Sequence, residues 1–252
     1  MTEKEAPPWL PFGAERASVR LLCLPHAGAG AASYHAWGAG LAPDIAACPV
    51  QLPGRESRVL EQPYRRMDDL LTELPAAIGD VLDGPYAVFG HSMGALVAFE
   101  LVRRIQGSGW PPPLHLFVAG CHAPHLSCTG PTLHDLPTCE LAEALRALGG
   151  TPRQVLDDPS LLQAIAPLLR ADFSMHETYR YVAGPPLDVP ITAFAATADW
   201  RASRDQLAAW SRHTSKGFQL YLLPGGHFAV LEHAPFVHAR IVEALREHVS
   251  QR

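Results

Sequence analysis

Lysine is almost missing from this 252-residue chain: it occurs only as Lys4 and Lys216, and arginine supplies the other 18 of the 20 basic side chains. Against 25 acidic residues the formal charge is −5. No basic stripe is present to neutralise phosphates, so a nucleic-acid partner is not expected. The arginine bias itself fits the codon usage of a GC-rich genome. Long apolar runs are also lacking. No segment approaches the ~18 to 20 apolar residues of a membrane span, and the opening MTEKEAPPWLPFG lacks the apolar core of a secretory signal. Cysteine is sparse and irregular: Cys23, Cys48, Cys121, Cys128 and Cys139 form an odd set without CxxC spacing. That pattern argues against a zinc knuckle or a disulfide framework. Reduced thiols in a cytoplasmic protein are expected, with no membrane association. Neither a GxGxxG fingerprint followed by a suitably placed acid nor a GK[ST] phosphate loop occurs.

What is there is 48% hydrophobic composition, ample for a packed core, at a length that α/β folds often use as one body. Short apolar runs, read as buried strands, cover 19–25, 45–51, 86–90, 114–120, 190–196 and 218–223. Helical patterns fall between them at 33–41, 67–82, 93–106, 203–213 and 235–250. This alternation predicts an α/β fold with a mostly parallel sheet flanked by helices. The strand rhythm stops over residues 121–185, where three helical stretches (138–149, 152–157, 158–182) suggest an insertion lying over the sheet as a lid. Residues 18–120 and 186–252 would then form the core, and residues 1–17 a flexible lead-in.

The sharpest local signal is Gly90-His91-Ser92-Met93-Gly94, a G-x-S-x-G pentapeptide with the apolar run YAVFG before it and ALVAFELVRR after it. A strand-to-helix elbow there presents the Ser92 hydroxyl, and the glycines allow close backbone approach. An N-cap serine is the bland alternative. The hydroxyl needs a base, and the base a carboxylate, in the chain order Ser, acid, His. His227, in Gly225-Gly226-His227-Phe228 after the last strand, meets the first requirement; Asp199, after 190–196, meets the second. Asp188, Asp205 and Glu232 are weaker on position. His213, His233, His238 and His248 read as helix-surface residues. His122, His125 and His134, near the lid boundary, read as solvated by default. The oxyanion of the tetrahedral intermediate would be met by the backbone N–H groups of Met93 and of Ala27, in the small-residue loop PHAGAG. His26, His91 and Phe228 are candidate substrate-binding residues, and Met93 and Trp37 could line an apolar channel.

The segments LCLPHAGAGAASYHAW, QLPGRESR, GHSMGALVAFE, LLRADFSMHETY and LPGGHF, in this order from about 21 to 230, resemble the type II (editing) thioesterases of polyketide and nonribosomal peptide synthesis. That resemblance implies an α/β-hydrolase fold with a helical lid and a triad of Ser92, Asp199 and His227. It further implies hydrolysis of stalled acyl groups from the phosphopantetheine arm of acyl or peptidyl carrier domains. No cofactor or metal of the enzyme's own is implied, and a monomer is expected. The chain departs from the family where Ala-Thr-Ala-Asp-Trp replaces a glycine- and proline-containing loop around the acid. Arg55, Arg58, Arg65 and Arg66 are candidate docking residues for an acidic carrier. A carboxylesterase or lipase, a chain-terminating thioesterase domain, and a non-catalytic carrier-binding module are the alternatives.

Overall fold

The computed structural model of the chain describes residues 8–12, 17–41, 43–128 and 130–249. Six strands, β1 (Val19–Leu24), β2 (Ile45–Pro49), β3 (Tyr86–His91), β4 (Leu116–Ala119), β5 (Ile191–Ala196) and β6 (Phe218–Leu223), pair in the order β2-β1-β3-β4-β5-β6. Every pairing is parallel. The strands read as apolar runs because helices cover both faces of a parallel sheet. Along β1, Leu22 and Leu24 enter one core while Leu21 and Cys23 enter the other. The helices are α1 (Trp37–Leu41), α2 (Met67–Ala77), α3 (Gly79–Leu82), α4 (Met93–Gln106), α5 (Thr138–Leu148), α6 (Arg153–Asp157), α7 (Pro159–Glu177), α8 (Arg204–Ala208), α9 (Ala229–Glu232) and α10 (Ala234–Val249). Residues of α2 and α4 fill the first core, residues of α1 and α10 the second.

From β1 the chain adds β2 on one side and then β3 on the other. The segments leaving β1 and β3 therefore diverge and open a crevice beyond the carboxyl ends of these neighbouring strands, where ligands bind in open α/β sheets. Register places Leu24 opposite Gly90, which sets the PHAGAG loop beside the serine elbow.

A third apolar cluster stands apart from the sheet. Leu141 and Leu145 of α5, Leu156 of α6, and Leu162, Leu169 and Phe173 of α7 bury against one another, and Ala27 of the loop after β1 packs onto them. Helix α7 begins where the Asp158 carboxylate accepts the Ser160 and Leu161 N–H groups with proline at its first position. At the far end of the sheet, just before β6, Lys216 pairs with Asp188 at 3.0 Å and is the one lysine among the described residues.

Some element expectations shift. The helix expected over 33–41 is a 3-10 turn (Ala31–Tyr34) followed by the short α1, and 67–82 breaks at Ile78 three residues after Pro75. Residues 8–12 are no flexible lead-in: Trp9 and Leu10 are buried, the Gln51 N–H donates to the Trp9 carbonyl at 2.9 Å, and the Arg58 guanidinium lies 4.2 Å from the Trp9 ring centre. Residues 1–7 and 13–16 lie outside the described residues.

Candidate active site

Ser92 sits between β3 and α4 at φ 55°, ψ −120°, a region a non-glycine residue enters only where the surroundings enforce it. The glycines make the enforcement possible. A Cβ at Gly90 would overlap the Gly94 carbonyl, and one at Gly94 would overlap the Leu24 carbonyl of β1. The Ser92 N–H donates to Ala119 O at 2.8 Å, tying the elbow to the end of β4.

His227 follows β6 through Gly225, itself at φ +112°. Its Nε2 lies 2.9 Å from Ser92 Oγ and its Nδ1 2.9 Å from Asp199 Oδ2. Asp199 is buried, and its other oxygen accepts the Arg201 N–H at 2.9 Å. The Nδ1–H donated to Asp199 leaves Nε2 free to accept the serine proton, the tautomer a general base requires. The altered Ala-Thr-Ala-Asp-Trp loop still delivers the carboxylate, because Thr197 and Ala198 donate to the Leu223 and Gly225 carbonyls and pin this loop to the one carrying His227. The rival acids stand elsewhere: Asp188 pairs with Lys216, and Asp205 is exposed.

The Met93 N–H opens α4 and has no carbonyl one turn back. Among the described residues no protein acceptor takes the Ala27 N–H, whereas Ala29 donates to His26 O and Gly28 to Asp172 Oδ2. Both expected oxyanion donors are therefore uncommitted. Beyond them a cavity of about 300 Å³ runs from Ser92 and His227 between Leu145, Leu169 and Phe173 of the third cluster, with His26 and Phe228 in its wall. The His26 pKa is lowered to about 3, first by burial and then by His227 and Arg55, so it is neutral.

Several expected roles are corrected. His91 does not reach the cavity: it is wholly buried, its Nε2–H donates to the His227 carbonyl at 2.9 Å, and burial lowers its pKa. It therefore braces His227 from behind and does not line the cavity. Trp37 packs against Phe89 and His238 in the sheet's second core, and the Met93 side chain is buried in the first. His122 is buried; His125 and His213 bond ring to ring at 2.7 Å; His134 bonds Glu177 at 2.7 Å. Neither His213 nor His238 is a surface residue. Arg55 and Arg58 are buried, paired with Asp172 and Glu61, so of the four candidate docking arginines only Arg65 and Arg66 are exposed.

One group with metal-ligand chemistry occurs among the described residues: Cys121, His122 and His176 lie within 4.8 Å of one another, all buried. Burial first, and then neighbouring charge that includes the Arg201 guanidinium, lowers both histidine pKa values. A neighbouring cation of that kind opposes a metal ion.

The Thioesterase domain family matches residues 19–247. Gramicidin S biosynthesis protein GrsT of Aneurinibacillus migulanus is 39% identical over 216 residues, covering 86% of this chain and 84% of GrsT. Among solved structures, the type II thioesterase BorB from the borrelidin biosynthetic cluster is 41% identical with a TM-score of 0.84, covering 92% of this chain and 95% of its own. The RedJ thioesterase from the prodiginine biosynthetic pathway in Streptomyces coelicolor is 37% identical with a TM-score of 0.84, covering 91% and 86%. With the serine elbow, the six-stranded parallel sheet and these likenesses together, the chain belongs to the thioesterase family and has its α/β-hydrolase fold.

Proposed function

We propose that this thioester hydrolase clears acyl groups from the phosphopantetheine arm of carrier domains in polyketide or nonribosomal peptide synthesis, with Ser92 as nucleophile, His227 as base and Asp199 as its orienting carboxylate. The observation that carries the reading is the hydrogen-bonded series Ser92–His227–Asp199, 2.9 Å at each step, opening onto an apolar cavity. Ser92 Oγ gives its proton to His227 Nε2 and attacks the thioester carbonyl. The resulting oxyanion is received by the N–H groups of Ala27 and Met93, and collapse breaks the C–S bond, expelling a readily leaving pantetheine thiolate that takes the proton from His227 Nε2 and returns the histidine to its neutral form. Water, deprotonated by the same histidine, then hydrolyses the Ser92 ester. Protein groups and water supply every step. The helices α5, α6 and α7 serve as the lid over the acyl group.

The test is a hydrolysis panel of carrier-bound acyl groups of differing length and branching, with Ser92→Ala as control. Turnover of short or decarboxylated units that disappears in Ser92→Ala supports the reading. Activity confined to a full-length product would mark chain release instead, and full activity in Ser92→Ala would remove the serine mechanism.

A further inference from the structure

Helix α7 buries a carboxylate, that of Asp172, beside the apolar side chains Leu162, Ala166, Leu169 and Phe173. Asp172 lies between Leu169 and Phe173, both of which wall the cavity, and it is fully buried. Its partner comes from the segment after β2: Arg55 Nη1 and Nη2 donate to the two Asp172 oxygens at 2.6 and 2.8 Å, with side-chain exposures of 4% and 1%. The pair also holds the loop after β1. Asp172 Oδ2 accepts the Gly28 N–H at 2.7 Å, and Arg55 Nη1 donates to Ala29 O at 3.0 Å. Gln51 completes the clamp, its Oε1 accepting from Ala31 N and its Nε2 donating to Arg55 O. Gly28 stands at φ +79°, where a Cβ would press on Leu169 of the same helix. The loop's backbone is thus gripped at Gly28, Ala29 and Ala31, while among the described residues no protein acceptor takes the Ala27 N–H.

A buried ion pair is a poor device for net stability, because desolvation of two charges offsets their attraction and an apolar pair of similar volume often does as well. A bidentate guanidinium–carboxylate fork is, by contrast, a stiff one. We propose that Arg55 and Asp172 are positioning residues for the oxyanion hole: the buried pair fixes the Ala27–Ala31 backbone from the helix that walls the acyl cavity. Seating of α7 on the acyl chain is thereby coupled to the aim of the Ala27 N–H. The inference rests on the proposed attack by Ser92.

Three variants test it: Asp172→Asn, Arg55→Lys, and the double replacement Arg55→Met/Asp172→Leu. The substrate is an acyl-pantetheine thioester. Two inhibitors are compared, an acyl trifluoromethyl ketone that forms an oxyanion on Ser92 and an unreactive thioether analogue. Asp172→Asn is expected to lower kcat roughly 10- to 100-fold, the scale of a misplaced catalytic group, with KM changed by less than about threefold. Affinity for the ketone should fall in proportion while that for the thioether holds. Arg55→Lys, which keeps the charge, should retain more kcat than the double variant. The double variant should recover the wild-type melting temperature and still be slow. Unchanged kcat in Asp172→Asn, or kcat restored along with melting temperature in the double variant, overturns the inference. Ser92→Ala is scored separately: if it abolishes hydrolysis while Asp172→Asn does not impair it, the inference fails and the serine mechanism stands.

Discussion

At the residue scale, the strained φ of Ser92 stores on the order of 1–3 kcal/mol, held by neighbours that leave no room for relaxation. Asp199, the proposed orienting carboxylate, contributes differently. Asp199→Asn preserves shape but can present an amide N–H to His227 Nδ1, forcing the unproductive tautomer. It is expected to lower kcat about 10³- to 10⁴-fold, with the unfolding midpoint nearly unchanged; a loss below tenfold in steady-state hydrolysis would contradict the assigned role. That Ser92, Asp199 and His227 would come together was legible in the sequence because each follows a strand at a punctuated turn, and their chain order is set by the topology. His91, Trp37 and Arg55 were not. Which way a side chain leaves an elbow depends on backbone rotation, and Arg55 meets Asp172 across 117 residues, a separation that local pattern does not encode.

At the element scale, the shift from strand rhythm to helices over 121–185 was readable, because α5 and α7 repeat apolar residues at helical spacing. The burial of Trp9 and Leu10 was not, since prolines and acids surround Trp9 and its cover comes from Arg58 and Tyr64. Between the helical insertion and the triad stands Phe228. Its ring fills the space a Cβ on Gly150 would need and forms part of the cavity wall. Phe228→Ala is therefore expected to lengthen the cavity and raise the ratio of kcat/KM for long over short acyl chains roughly tenfold, the scale at which one or two methylenes discriminate in an apolar pocket. A chain-length series gives the answer, and an unchanged profile would place the acyl group elsewhere.

At the scale of the whole molecule, the buried histidines become a stability property. Burial lowers the pKa of His26 to about 3 and those of His115 and His213 to about 4, and it lowers those of His91 and His176 as well. Such residues are neutral when folded and take up protons on unfolding, so below their unfolded pKa of about 6.5 the unfolded chain binds more protons and stability declines. Urea midpoints should be level above pH 7 and fall steadily from about pH 6.5 to about pH 4, with a slope exceeding one proton per molecule. A flat profile across that window would show the histidines to be solvated. The Lys216–Asp188 pair has a consequence of a more practical kind. Lys216 is the one ε-amine on the described body of the molecule and is half exposed, at the end of the sheet opposite Ser92. Amine-directed coupling at this site would tether the protein by the foot of its sheet, leaving the mouth of the cavity turned outward to meet a substrate as bulky as an acylated protein domain.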